Sequence, residues 1–135
     1  MNAGYDSNSN NQSLVVRLSH KKTSLLFTGD ISREEEEDLI HTTPDLKSTI
    51  LKVPHHGSDT SSSLPFLTRV QPRIAIVSVG FQNNFHLPNR NVIQRYHDAG
   101  SQIFRTDLDG AITIETDGSD IRIKTFSGRE WSDRE

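Results

Sequence analysis

The chain has 135 residues, with 15 basic and 18 acidic side chains and a net charge of −3; that is one domain, able to bury about two-thirds of its unfolded surface. The charge balance gives no electrostatic footprint for non-specific nucleic-acid binding, although it leaves room for a nucleic acid held locally. With no cysteine, disulfides and thiolate metal sites are excluded, so any metal rests on His, Asp or Glu, a donor set suited to zinc or manganese.

Residues 1–12 are polar and asparagine-rich and predict an extended lead-in. Residues 13–19 and 24–28 are β-rich runs around a polar turn, a hairpin signal. Ser32 with Glu35 three positions on predicts a capping box and a helix over 33–41, which Pro44 bars from continuing. Glu34 to Glu37 read as a solvated helix face matched to the helix dipole. A short apolar strand over 48–53 stops at Pro54. Residues 61–70 predict a helix with Leu64, Leu67 and Val70 on one face. The run 73–79 is rich in β-branched residues, as expected of a strand covered on both faces. After a polar loop over 80–90, a helix over 91–99 ends at Gly100. Residues 102–105, 111–115 and 121–126 predict three short antiparallel strands. The expected domain is therefore residues 13–126, followed by a flexible tail over 127–135. Its class is α/β, with a mixed sheet and three flanking helices. No apolar run approaches the ~20 residues that cross a bilayer, so the chain is expected to be soluble.

Polar chemistry gathers just after three predicted strands: Gly29–Asp30, then His55–His56–Gly57–Ser58, then His86. Strand ends in α/β sheets are where sites are built, because rigid strands aim the loops that carry ligands. Taken singly, Asp30 fits a helix cap or turn, the paired histidines fit a solvated turn, and His86 fits a polar loop. Their occurrence at successive strand ends favours a site. Ser58 and Thr60 could contact a phosphate through their hydroxyls, while Ser61 to Ser63 suit turn and helix-cap positions. His20, His41 and His97 read as ordinary surface residues.

The segments SLLFTGDI, LKVPHHGSDTSSS, PRIAIVSVGFQNNFHLPN and VIQRYHDAGSQIFRTDLDGAITI resemble, in order and spacing, the C-terminal half of the metallo-β-lactamase-fold domain of ComEC-type DNA-internalisation (competence) proteins. The resemblance runs from about residue 10 to residue 114. It implies a four-layer αββα sandwich with a metal site at the edge of its sheets. By the same resemblance Asp30 would bridge two divalent ions, zinc or manganese, and His86 would bind the second. His56, with His55 beside it, would sit near a scissile phosphate and protonate the leaving group.

Three departures accompany the likeness. The His-x-His/Asp-x-Asp-His cluster that supplies most metal ligands in that superfamily lies N-terminal to these motifs and has no counterpart here. Asn10–Asn11 stand where many relatives carry a further histidine, and Phe85–His86–Leu87–Pro88 stands where the family reads Gly-His-Pro. The chain is thus expected to form part of a phosphodiesterase or nuclease that degrades one DNA strand during uptake. It would bind metal weakly or not at all alone and be active only with the N-terminal half. Its expected partners are DNA, that N-terminal half, the membrane channel of the parent protein and, for the isolated chain, a second copy. The parent would place this domain at the outer face of the cytoplasmic membrane. The alternatives are a catalytically silent domain that guides DNA or stabilises the channel, and a phosphorylcholine-esterase-like hydrolase.

Overall fold

The computed structural model describes residues 13–133; the predicted lead-in and Asn10–Asn11 lie outside them. The element order is β1 (Val16–His20), β2 (Thr23–Phe27), α1 (Arg33–Thr42), β3 (Ile50–Lys52), α2 (Leu64–Val70), β4 (Ile74–Val77) and α3 (Arg90–Asp98). There follow β5 (Gln102–Arg105), α4 (Thr106–Asp109), β6 (Ile112–Thr116), β7 (Ile121–Thr125) and β8 (Glu130–Asp133). A 3-10 turn, Pro54–Gly57, follows β3.

Strands β1 to β5 form one sheet in sequential order, with β1 antiparallel to β2 and every later pair parallel. Each parallel pair needs a crossover, and crossovers are right-handed. Because the strands are added in one direction, α1, α2 and α3 all land on the same face. Leu26, Leu51, Val53, Ala75 and Val77 point to that face and pack against Phe66, Leu67 and Val70 of α2 and Val92 and Tyr96 of α3. The alternate residues Ile50, Ile74 and Phe104 face the other way and meet Ile121 and Ile123 of a second sheet, β6-β7-β8. This is the period-two alternation of strands buried on both sides.

The result is a mixed α/β domain of three layers: helices, sheet, sheet. The outward residues of the second sheet, among them Thr113, Glu115, Arg122 and Lys124, are exposed, so no fourth layer covers it among the described residues. On the inner side the second sheet meets β2 at Leu25 and the β1–β2 turn through Lys22 N–H to Gly118 O at 2.9 Å, but leaves part of this face open. There Leu18 and Phe27 are 54% and 39% exposed, beside a cleft lined by Leu25, Ile76, Ile112 and Ile114.

Several expectations need correction. The strand at 102–105 pairs in parallel with β4; the sheet is mixed because of the β1–β2 hairpin instead. Residues 130–133 belong to the expected flexible tail yet form β8 against β7. They are held by half-buried Trp131 and by Arg129, which lies 4.3 Å over the Phe104 ring and bonds Asp109 at 3.1 Å. Ser32 takes the N-cap position of α1 without a capping side-chain bond. Helix α2 begins at Leu64, because Ser63 is its N-cap, accepting from Phe66 N. Glu36 is fully buried, whereas its acidic run reads as solvated; the cause lies at the candidate site.

Candidate functional site

Asp30, His56 and Ser78 follow β2, β3 and β4, three adjacent parallel strands, and so emerge side by side at one edge of the sheet. Gly29, at φ 57°, turns the chain after β2 and brings Asp30 under Ser13, whose Oγ accepts from Asp30 N at 3.1 Å. Its carbonyl accepts from His55 N at 3.1 Å, tying the two loops together.

His55 and His56 both occupy the left-handed region, at φ 51° and 57°. Each such non-glycine residue costs roughly 1–2 kcal/mol, and strain of this kind gathers at functional sites. The conformation swings His56 back over the sheet edge. There Nδ1 lies 2.6 Å from Ser78 O. A carbonyl only accepts, so Nδ1 carries the proton and donates. Nε2 is left facing Asp30 Oδ1 at 3.4 Å, with both side chains a little over two-fifths exposed.

His55 points elsewhere. Its Nδ1 lies 3.2 Å from Thr60 Oγ1, which lies 3.0 Å from Ser58 Oγ. Arg33 joins this group by donating to Asp59 O at 2.7 Å, and its backbone N–H bonds Thr60 O. His86 sits exposed in the loop after β4, and no hydrogen bond or ion pair joins it to Asp30 among the described residues.

The loop that follows is pinned from behind. Glu36 of α1 accepts from the backbone N–H of Ser62 and, at 2.9 Å, of Ser63. Burial holds the Glu36 carboxyl above its ordinary range, outweighing those donors. Ser62, itself left-handed at φ 61°, shares a 2.8 Å hydrogen bond with the buried Tyr96 hydroxyl. Desolvation pushes that hydroxyl well above its usual titration range, so Tyr96 stays neutral. Arg95 donates to Ser62 O at 3.0 Å. Ser78 and Glu36 were not anticipated. Ser78 acts through its backbone carbonyl, which carries no sequence signal. Only Glu36 had one, an acid three residues after the helix start that faces neither solvent nor the cap.

Could these residues hold a metal? Two donors 3.4 Å apart match one edge of a tetrahedral shell with bonds of about 2.0–2.2 Å, but a catalytic zinc normally takes three protein ligands. Among the described residues no group of three His, Asp or Glu comes together. The stretch does not fit a metal by itself. It does provide an oriented imidazole with a carboxylate partner, the equipment of acid–base chemistry.

Helices on one face and a second sheet on the other define a mixed α/β domain that carries a His–Asp pair at its strand ends. No protein-family profile matches the chain. It is 36% identical over 118 residues to ComE operon protein 3 of Bacillus subtilis (strain 168), covering 87% of this chain and 15% of that protein. It is 39% identical over 104 residues to competence protein ComA of Neisseria gonorrhoeae, covering 76% of the chain and 15% of the relative. Recombination protein 2 of Haemophilus influenzae (strain ATCC 51907 / DSM 11121 / KW20 / Rd) is 34% identical over 105 residues, covering 78% of the chain and 13% of the relative. These homologues support a competence-protein family, and the chain spans about 15% of their length.

Proposed function

We propose that this chain is part of a phosphodiesterase or nuclease domain of a DNA-uptake protein, in which His56 and Asp30 supply the acid–base pair. The observation that carries the reading is His56, fixed by Ser78 O on one side and facing Asp30 on the other. As an imidazolium, His56 donates its Nε2 proton to the leaving oxygen as water displaces it from phosphorus, and the proton lost by the attacking water passes to solvent. Asp30 stabilises the charged ring beforehand, and the Ser58, Thr60 and His55 cluster offers hydrogen bonds to phosphate oxygens. Further ligands for zinc or manganese, and cover for the open face of β1 and β2, would come from the greater length that its relatives possess. So would any membrane channel.

The test is a nuclease assay with added Mn²⁺ on the 135-residue chain, on the longer protein, and on its His56→Ala and Asp30→Ala variants, with metal content measured in parallel. The longer protein should cleave and the isolated chain should not. His56→Ala should slow turnover ~10²–10⁴-fold while keeping its metal, the worth of general-acid help; Asp30→Ala should lose both. Cleavage by His56→Ala at the parent rate overturns the assignment. A silent DNA-guiding or structural domain is the second reading, favoured by the two-donor count. A longer protein inactive with added Mn²⁺, and again with added Zn²⁺, would select it.

A further inference from the structure

The loop after β4 carries Phe81 and Phe85, 73% and 82% exposed. Single exposed apolar side chains need no explanation, but this pair shares one loop, and that loop is braced from within. Asn83 donates to Gly80 O at 3.1 Å and to Leu87 O at 2.7 Å, while its Oδ1 accepts from Leu87 N at 2.9 Å. Gln82 and His86 are both left-handed, at φ 48° and 54°. A loop held this tightly, with strained residues beside each ring, presents its phenylalanines on a fixed support. It also adjoins the candidate site at both ends. It leaves the sheet just after Ser78, the residue that holds His56, and returns at Asn89, whose N–H bonds Gly57 O at 2.9 Å.

We propose that Phe81 and Phe85 form a stacking platform for unpaired nucleobases, so that the site takes single-stranded DNA in preference to duplex. The proposal rests on the phosphodiester reading above and names its substrate form. Every base offers a π-face, which makes aromatic stacking the sequence-tolerant way to hold a single strand; in a duplex those faces are already stacked. Charge agrees. Arg90 stands exposed where this loop enters α3, and no carboxylate side chain lies between Asp59 and Asp98 in the sequence. Gln82 and Asn84, also exposed, give polar edges beside the rings.

The experiment measures anisotropy of a labelled oligo-dT, an abasic strand of equal length and a duplex, titrated with the full chain in EDTA at low salt. Phe81→Ala, Phe85→Ala and Phe85→Tyr are compared after thermal melts show each folded. Each alanine should weaken oligo-dT binding about 5- to 140-fold, the factor equivalent to stacking of about 1–3 kcal/mol per base. Binding to the abasic strand should not change, and Phe85→Tyr should stay within about twofold of the parent. A parent that fails to bind oligo-dT, or alanine variants that bind it as the parent does, overturns the platform. So does ring-dependent partition onto anionic vesicles without ring-dependent DNA binding, which would make the loop a membrane contact. Ring-dependent binding alongside a failed cleavage assay would sink the catalytic reading and leave the platform standing. Cleavage with ring-independent binding does the reverse.

Discussion

Replacing Glu36 by alanine tests whether the site rests on a buried carboxylate. Glu36 is fully buried and accepts the N–H groups of Ser62 and Ser63. Hydrogen bonds to a charged acceptor contribute about 1.5–3 kcal/mol each, so two are worth about 3–6 kcal/mol. Against that stands the cost of keeping a carboxylate out of water, visible in its raised titration. The variant also leaves the Ser62 N–H buried without its acceptor and opens a void beside the hydroxyls of Ser62 and Tyr96. A net loss of about 3 kcal/mol is the expected result. For a domain of this size that lowers Tm by about 12 °C. The control is Glu37→Ala, because Glu37 is exposed and only 3.9 Å from an exposed His41. Urea and thermal unfolding read both variants, and backbone amide exchange at residues 60–64 reads the loop directly. If Glu36→Ala melts within about 2 °C of the parent and those amides stay protected, the buried clamp is not what holds the loop.

The pH dependence carries its own sign. The folded chain keeps the Glu36 proton to higher pH than the unfolded chain does, so the parent's stability relative to Glu36→Gln should be greatest below about pH 4.5 and fall as pH rises through the raised folded value; denaturant titrations across that range check it. Gly57→Ala places a Cβ 2.5 Å from Pro88 Cβ at φ 84°. It should cost about 2–4 kcal/mol and shift the His56 ring resonances in NMR spectra. Arg129→Ala strips the ring contact on Phe104 and the ion pair of the nearly buried Asp109, for a loss of about 2–3 kcal/mol with earliest amide exchange in β8. The open face of β1 and β2 should drive self-association of the isolated chain, and Leu18→Lys should return it to a monomer in light scattering.

Much of this architecture was legible because local pattern and tertiary fate agreed. The β-branched run around Ile74–Val77 became a strand buried on both faces, and the helix after Asn89 ended at Gly100. Strand direction was not legible. Gln102–Arg105 resembles its successors in composition, and its parallel pairing comes from the α3 crossover, not from its own residues. Nor does β8 announce itself, since its one apolar anchor, Trp131, means something only against Ile121 and Ile123. Glu36 was misread because its burial is decided by two N–H groups 26 and 27 residues away. At the site, the positions of Asp30 and His56 after their strands were readable, whereas their direct pairing was not. It depends on a left-handed turn and a backbone carbonyl, neither of which has a residue signature.

That left-handed turn sets foldability against chemistry. Histidine tolerates positive φ better than most residues, but glycine adopts it without the roughly 1–2 kcal/mol penalty. A library randomised at 55 and 56 and sorted only for thermal survival should drift toward glycine and asparagine at both places. If His56 serves the proposed phosphodiester cleavage, the same library sorted for that activity in the longer protein should return histidine at 56, even in members that melt earlier. Deep sequencing of the two pools would show position 56 diverging between them. At position 55, whose ring lies 3.2 Å from Thr60 Oγ1 and away from Asp30, the pools should diverge less.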